Sequence, residues 1–250
     1  MSAVFPFLTD NLNKLASHTQ QQNDAISLLD HSLVTTDFDA LKFSAAASQQ
    51  LAPTSTSYPD SKPSPYLISS PYNSPAHLLD LRRLDTPNRL LAKALTALKP
   101  IRPDYATASY ESSFNWEEVF STLAQLASTE QYAWQEQIFY VVIFRSRLKP
   151  TIDLSRLMEL DSKSHEEATI SGGLLKYWFG NVDDENQNLA TCHWRSKEDA
   201  RLGGLGPWHL KARHAARELY ANITFTIQKL VISDGIQNWR FESWEDNNKL

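Results

Sequence analysis

One cysteine, Cys192, is all that the 250 residues provide. That excludes an intramolecular disulfide and any cysteine-built zinc cluster, and it fits a reducing compartment. Positive charge is also scarce: 24 Lys and Arg against 29 Asp and Glu leave a net charge of −5. The electrostatic footprint of a general nucleic-acid binder is missing, so no nucleic-acid partner is expected. No apolar run reaches the roughly 18 residues of a membrane span. Met1–Leu8 is short, lacks a basic flank and is interrupted at Asp10, so neither secretion nor membrane insertion is expected. The expected location is the cytoplasm, with the nucleus also open to a chain of 28.4 kDa. G-x-S-x-G, H-E-x-x-H and a phosphate-binding GK[ST] are all absent, and no metal site is expected.

What is present is unevenly spread. All seven Trp lie at or beyond Trp116, and six prolines crowd Pro53–Pro75 among serines. Such a composition resists helix and central strand alike, so residues 1–75 read as a largely disordered tail and linker. Ser64, Ser70 and Ser74 each precede a proline there and are candidate phosphorylation sites.

Residues 76–134 read as a helical extension. A short strand is expected at His77–Leu81. Thr86-Pro87 then opens a helix whose apolar stripe is Leu90, Leu91, Leu95 and Leu98. A second helix, about 115–127, carries Glu117 and Glu118 in its first turn.

Residues 135–250 read as one α+β domain. Gln137–Arg145 is a β-branched and aromatic run, suited to a central strand. Asp153 caps the following helix and Gly172-Gly173 ends it. Leu174–Phe179 and Leu189–Trp194 form a hairpin. Ser196 and Asp199 open another helix, broken at Gly203–Gly206 and restarted at Pro207. Alternation at Ile223, Phe225 and Ile227 marks a strand, and Trp239, Phe241 and Trp244 a last one. The order is that of a ferredoxin-like βαββαβ sheet with an added strand. Both helices of that fold cover one sheet face, leaving the other uncovered. A second copy packing sheet to sheet is expected to cover this aromatic-rich face, which would make a homodimer; the alternative cover is the N-terminal extension.

Tyr177-Trp178-Phe179, Cys192–Ala200 and Gly206-Pro207-Trp208-His209 carry a resemblance. Over residues 135–245 the chain resembles a fungal family without an assigned function. It is also similar to the wider dimeric α+β barrel superfamily, which includes antibiotic-biosynthesis and haem-degrading monooxygenases. The shared pattern is a strand ending in Trp-x-Ser, an acidic helix start and a later His, here Trp194, Ser196, Glu198 and His209. The resemblance implies a homodimer holding a small hydrophobic or aromatic metabolite. It implies binding of that ligand, or its transformation by cofactor-independent oxygenation or proton transfer. The break at Gly203–Pro207 sets His209 farther from Trp194 than in the haem-degrading branch, whose other polar residue has no counterpart, so no cofactor is expected.

The candidate catalytic residues are His209 and His193. His209 lies just inside a helix start, where the dipole favours neutral imidazole. A capping role would need no chemistry. Strand parity sends His193 to the opposite sheet face from Trp194, so it enters the second-face cavity if Trp194 packs under the helices. Tyr177, Trp178, Trp194 and Trp208 are candidate ligand-binding residues, or plain core. Arg213 and Arg217, one turn apart, suit a carboxylate or phosphate, or form a solvated face. The competing reading is a non-catalytic dimeric interaction protein with a phosphorylatable tail.

Overall fold

The computed structural model describes residues 64–244, so the expectations for residues 1–63 and for the last six residues lie outside the described residues. The chain begins with a short antiparallel pair, β1 (Tyr66–Leu67) against β2 (Leu79–Asp80). Packed structure therefore starts before residue 75: Leu67, Ile68, Ser69 and Ser70 are all buried. The strand expected at His77–Leu81 is only two residues long. Pro75 opens a 3-10 turn through His77, and the Asp80 carboxylate accepts the Arg82 N–H to start another at Leu81.

The extension supplies α1 (Thr86–Ala94), α2 (Tyr110–Ser113) and α3 (Trp116–Thr129). Pro87 fits the first turn of α1, where its missing N–H is not needed. Leu90, Leu91, Leu95 and Leu98 are fully buried. Glu117 and Glu118 complement the positive end of α3, whose Val119, Phe120 and Leu123 turn inward.

The domain then runs β3 (Gln137–Leu148), α4 (Leu154–Ser171), β4 (Leu174–Phe179), β5 (Gln187–Trp194), α5 (Lys197–Gly203), α6 (Pro207–Leu219), β6 (Tyr220–Ile232) and β7 (Trp239–Ser243). The sheet order is β4-β5-β3-β6-β7 with every neighbour antiparallel. This is the ferredoxin-like βαββαβ arrangement with β7 added at one edge. Its helix ends have local causes. Asp153 accepts the Arg156 N–H at 3.0 Å, and the Ser196 hydroxyl accepts the Asp199 N–H at 3.1 Å. Gly172 and Gly173 close α4 at φ of 89° and 80°. A side chain at Gly173 would also run into Asp199.

The register sorts the side chains into two faces. Tyr140 and Val142 on β3 pair with Trp194 and Cys192 on β5 and lie with Tyr177, Ala168 and Ala200 on the helix side. Phe139, Val141 and Ile143 share the other side with Trp178, Leu189, Leu230 and Ile232. There they form one continuous core with α1, α3, Phe114 and Trp116. Of the two covers left open by the sequence, the apolar part of the second face is covered by the chain's own extension. The second copy expected over the sheet is therefore not what covers this apolar part. The far end of that face is polar: Arg145, Arg147, Gln187, Asn222 and Thr224 line an open cleft of about 410 Å³ with Ala106 and Thr107. Arg145 ties the extension down by donating to the carbonyls of Tyr105, Ala106 and Ala108.

Candidate functional site

On the helix side, α4 aims Asp161 and His165, one turn apart, at the sheet. Tyr177 comes from β4, and Tyr72 and His77 come from the segment between β1 and β2. That segment covers the edge of β4, because Ser69 O accepts the Tyr177 N–H at 2.9 Å. The Tyr177 hydroxyl donates to Asp161 Oδ1 at 2.5 Å and the Tyr72 hydroxyl to Oδ2. His77 Nδ1 and His165 Nδ1 are 2.8 Å apart, so one ring donates and the other accepts. Tyr72 lies on both rings, at centroid distances of 4.7 Å from His77 and 5.3 Å from His165. His165 is buried, and its Nε2 has no hydrogen-bond partner.

Burial dominates the electrostatics. It pushes the Asp161 carboxyl up, although the hydroxyls of Tyr177 and Tyr72 and the nearby His209 pull the other way. Burial and Asp161 together push both tyrosines well above their ordinary value. His165 is held well below its ordinary value by burial and then by His77 and His209. Burial also takes His77 down to about 4. Neutral imidazoles next to a carboxyl with a raised pKa are groups able to transfer a proton. Cys192 is a weak candidate nucleophile, because burial raises its thiol.

The sequence-derived candidates fall into separate places. Tyr177 and Trp194 lie on the helix side, near this cluster. Trp178 faces the extension and meets Phe114 edge-on at 4.9 Å. Trp208 sits on α6 with the Lys211 ammonium 3.7 Å over its ring. The four aromatics do not line one pocket. His193 points away from Trp194, as parity required, and packs against the rings of Tyr110 and Trp116. It is fully buried, with Nε2 2.9 Å from the Tyr110 hydroxyl. His209 is bound to Glu167, whose carboxylate accepts from the backbone N–H of Trp208 at 2.7 Å and of His209 at 3.0 Å and lies 3.0 Å from His209 Nδ1. Gly206 has no side chain to cap α6, so Glu167 does it from the neighbouring helix. Burial raises the Glu167 carboxyl, but these bonds outweigh it and the net shift is downward. Arg213 and Arg217 share a surface hollow of about 440 Å³ with Leu210 and His214, and Arg213 donates to the Gly204 carbonyl. Of the serines, Ser70 is 1% exposed and binds the backbone of Tyr72 through its hydroxyl. Ser64 hydrogen-bonds the Tyr66 backbone, and Ser74 precedes the first 3-10 turn.

A haem does not fit between His209 and Trp194. A Cβ at Gly203 would strike the Trp194 ring and one at Gly206 the Glu167 carboxylate, so that junction is already closed-packed. Among the described residues, no group of three or more His, Cys, Asp or Glu is placed to hold a metal, and no helix is long and apolar enough to cross a membrane.

A family model described as PB2B2.08-like matches residues 68–243. The UPF0643 protein PB2B2.08 of Schizosaccharomyces pombe (strain 972 / ATCC 24843) is 37% identical over 186 residues, covering 71% of this chain and 84% of that relative. The chain belongs to the PB2B2.08-like family. The family match spans β2, the extension and the whole sheet, so the extension falls within the matched region along with the ferredoxin-like core. Solved structures with partial likeness include a putative antibiotic biosynthesis monooxygenase from Nitrosomonas europaea, at 19% identity and TM-score 0.33, covering 38% of this chain and 90% of that one. Rv0793 from Mycobacterium tuberculosis has 20% identity and TM-score 0.32, covering 36% and 91%. SnoaB, a cofactor-independent oxygenase from Streptomyces nogalater, has 15% identity and TM-score 0.29, covering 38% and 91%.

Proposed function

We propose that the protein binds a small aromatic or hydrophobic metabolite on the helix side of its sheet and moves a proton on it. His165 Nε2 is the acid/base, and Asp161 orients the group through Tyr72 and Tyr177. The reading rests on one observation: a buried imidazole nitrogen without a partner, in a ring that burial keeps neutral, one helical turn from an enclosed carboxyl. A neutral imidazole accepts a proton from a phenolic O–H or acidic C–H, and a low-dielectric site strengthens the interaction. Removing that proton leaves an electron-rich anion, the form in which an aromatic substrate reacts with dioxygen without a cofactor. The segment carrying Tyr72 and His77 lies over the cluster, so the ligand enters by displacing it. His209 is held by Glu167 at the start of α6.

A thermal-shift screen of the full chain against phenolic and polycyclic aromatic metabolites tests this. A saturable rise in the wild type that disappears in His165→Gln and survives in His209→Ala is expected. A rise that persists in His165→Gln places the ligand elsewhere, and no rise with any aromatic compound removes the reading.

A further inference from the structure

The other side of the sheet holds a second buried polar group, used by nothing above. Lys176 is 1% exposed, and its Nζ has no hydrogen-bond partner. It stands opposite His193 in the β4–β5 register, so both lie among the aromatics of the extension. The Thr191 hydroxyl donates to Val142 O at 3.2 Å, which leaves Thr191 Oγ1 to accept the Tyr110 hydroxyl at 2.8 Å. The Tyr110 oxygen then accepts His193 Nε2–H at 2.9 Å. This chain fixes the tautomer and leaves a bare lone pair on His193 Nδ1, a buried atom without a partner. Trp116, 2% exposed, adds an Nε1–H in the same condition, its ring 5.8 Å from the imidazole. Each such group is costly to bury, and native interiors hold few of them. Three such groups lie on this face: an amine, a proton acceptor and a donor.

We propose that Lys176 is a carboxylation site, where its amine adds carbon dioxide to form a carbamate. The nitrogen lone pair forms an N–C bond, one C=O electron pair moves onto oxygen, and the proton lost from nitrogen passes to His193 Nδ1. The product is a carbamate anion beside an imidazolium, so the buried site stays neutral overall, as a buried charge requires. Trp116 Nε1–H donates to one carbamate oxygen and His193 Nδ1–H to the other, so every partnerless atom gains a partner. The reaction needs an uncharged amine, and burial lowers the Lys176 pKa to about 7. It also needs an electrophile small enough for a close-packed aromatic interior, and carbon dioxide is one. The carbamate joins β4 and β5 to α2 and α3 through Tyr110 and Trp116. Carbon dioxide thus fastens the extension to the sheet, independently of the site on the helix side.

The test is made on the full chain in bicarbonate at about pH 8, above the lowered amine pKa. The carbamate is trapped by alkylation with a trialkyloxonium salt, and the peptides are weighed. Expected is a carboxyl adduct on Lys176 several-fold above that on the exposed lysines Lys99 and Lys163. It should be reduced several-fold by Trp116→Phe and missing in Lys176→Arg. Trapping on wild-type Lys176 at no more than the level of those exposed lysines overturns the proposal, and that comparison needs no variant to fold.

Discussion

The two faces of the sheet are built from the same strands and behave differently. The extension face is a continuous apolar and aromatic core that takes in α1, α3 and every strand but β7, with Trp239 and Phe241 of β7 packed against it. The helix face carries smaller apolar clusters and an acid–histidine–tyrosine group whose members come from α4, β4 and the strap before β2. Burying a large apolar side chain contributes about 1.5–3 kcal/mol, whereas buried polar networks contribute little net stability and fix geometry. The stability of the fold therefore lies mainly between sheet and extension, and the buried acid–histidine–tyrosine network lies between sheet and helices.

Deleting residues 64–134 should have the largest effect. It bares Phe139, Val141, Ile143, Trp178 and Leu230, and the remaining chain is expected to be unfolded or aggregated by circular dichroism and sedimentation. A folded, monomeric remainder would reverse the comparison. Next is Lys176→Met, measured in buffer free of carbon dioxide. Replacing a buried amine that has no partner by an apolar side chain of similar volume is expected to stabilise by roughly 1–3 kcal/mol. Lys176 binds a proton more weakly when folded, with a pKa of about 7. The wild type therefore gains stability as pH rises from about 7 toward the ordinary lysine value, and the advantage of Lys176→Met should shrink over that window in urea titrations. A pH titration tests both faces together. Burial lowers His77 to about 4 and His193 to about 3 and also depresses His165. The unfolded chain takes up protons first, so stability should fall as pH drops from the ordinary histidine value through about 4. His77→Gln should flatten the upper part of that fall. An equally steep fall in the variant would assign the loss to other groups.

Much of the fold was legible because its signals are local. The β-branched run at Gln137–Arg145, the caps at Asp153 and Ser196 and the Gly172-Gly173 stop each act within a few residues. Strand parity likewise separated His193 from Trp194. The cover over the second face was not legible, because an amphipathic stripe such as Leu90, Leu91 and Leu95 shows that it must pack but not against what. Residues 64–75 read as linker from their prolines, yet alternating Leu67 and the strap onto β4 were enough to fold them. The candidate site was hidden for the same reason. His77 and His165 are 88 positions apart, and Asp161 on α4 reads as a solvated helical carboxylate until the tyrosines of β4 and the strap are placed above it. His209, read from its place just inside a helix start, is tied to Glu167, which caps that helix from α4.

The most direct measurement is a double-mutant cycle between Tyr110→Phe and His193→Gln, by urea unfolding at several protein concentrations. The hydroxyl of Tyr110 reaches from the extension to His193 within one chain. A coupling of about 0.5–3 kcal/mol, the range for residues in one hydrogen-bonded network, that does not change with concentration is predicted. Additive single effects, or a coupling that grows with concentration, would contradict the claim that the chain covers its own sheet.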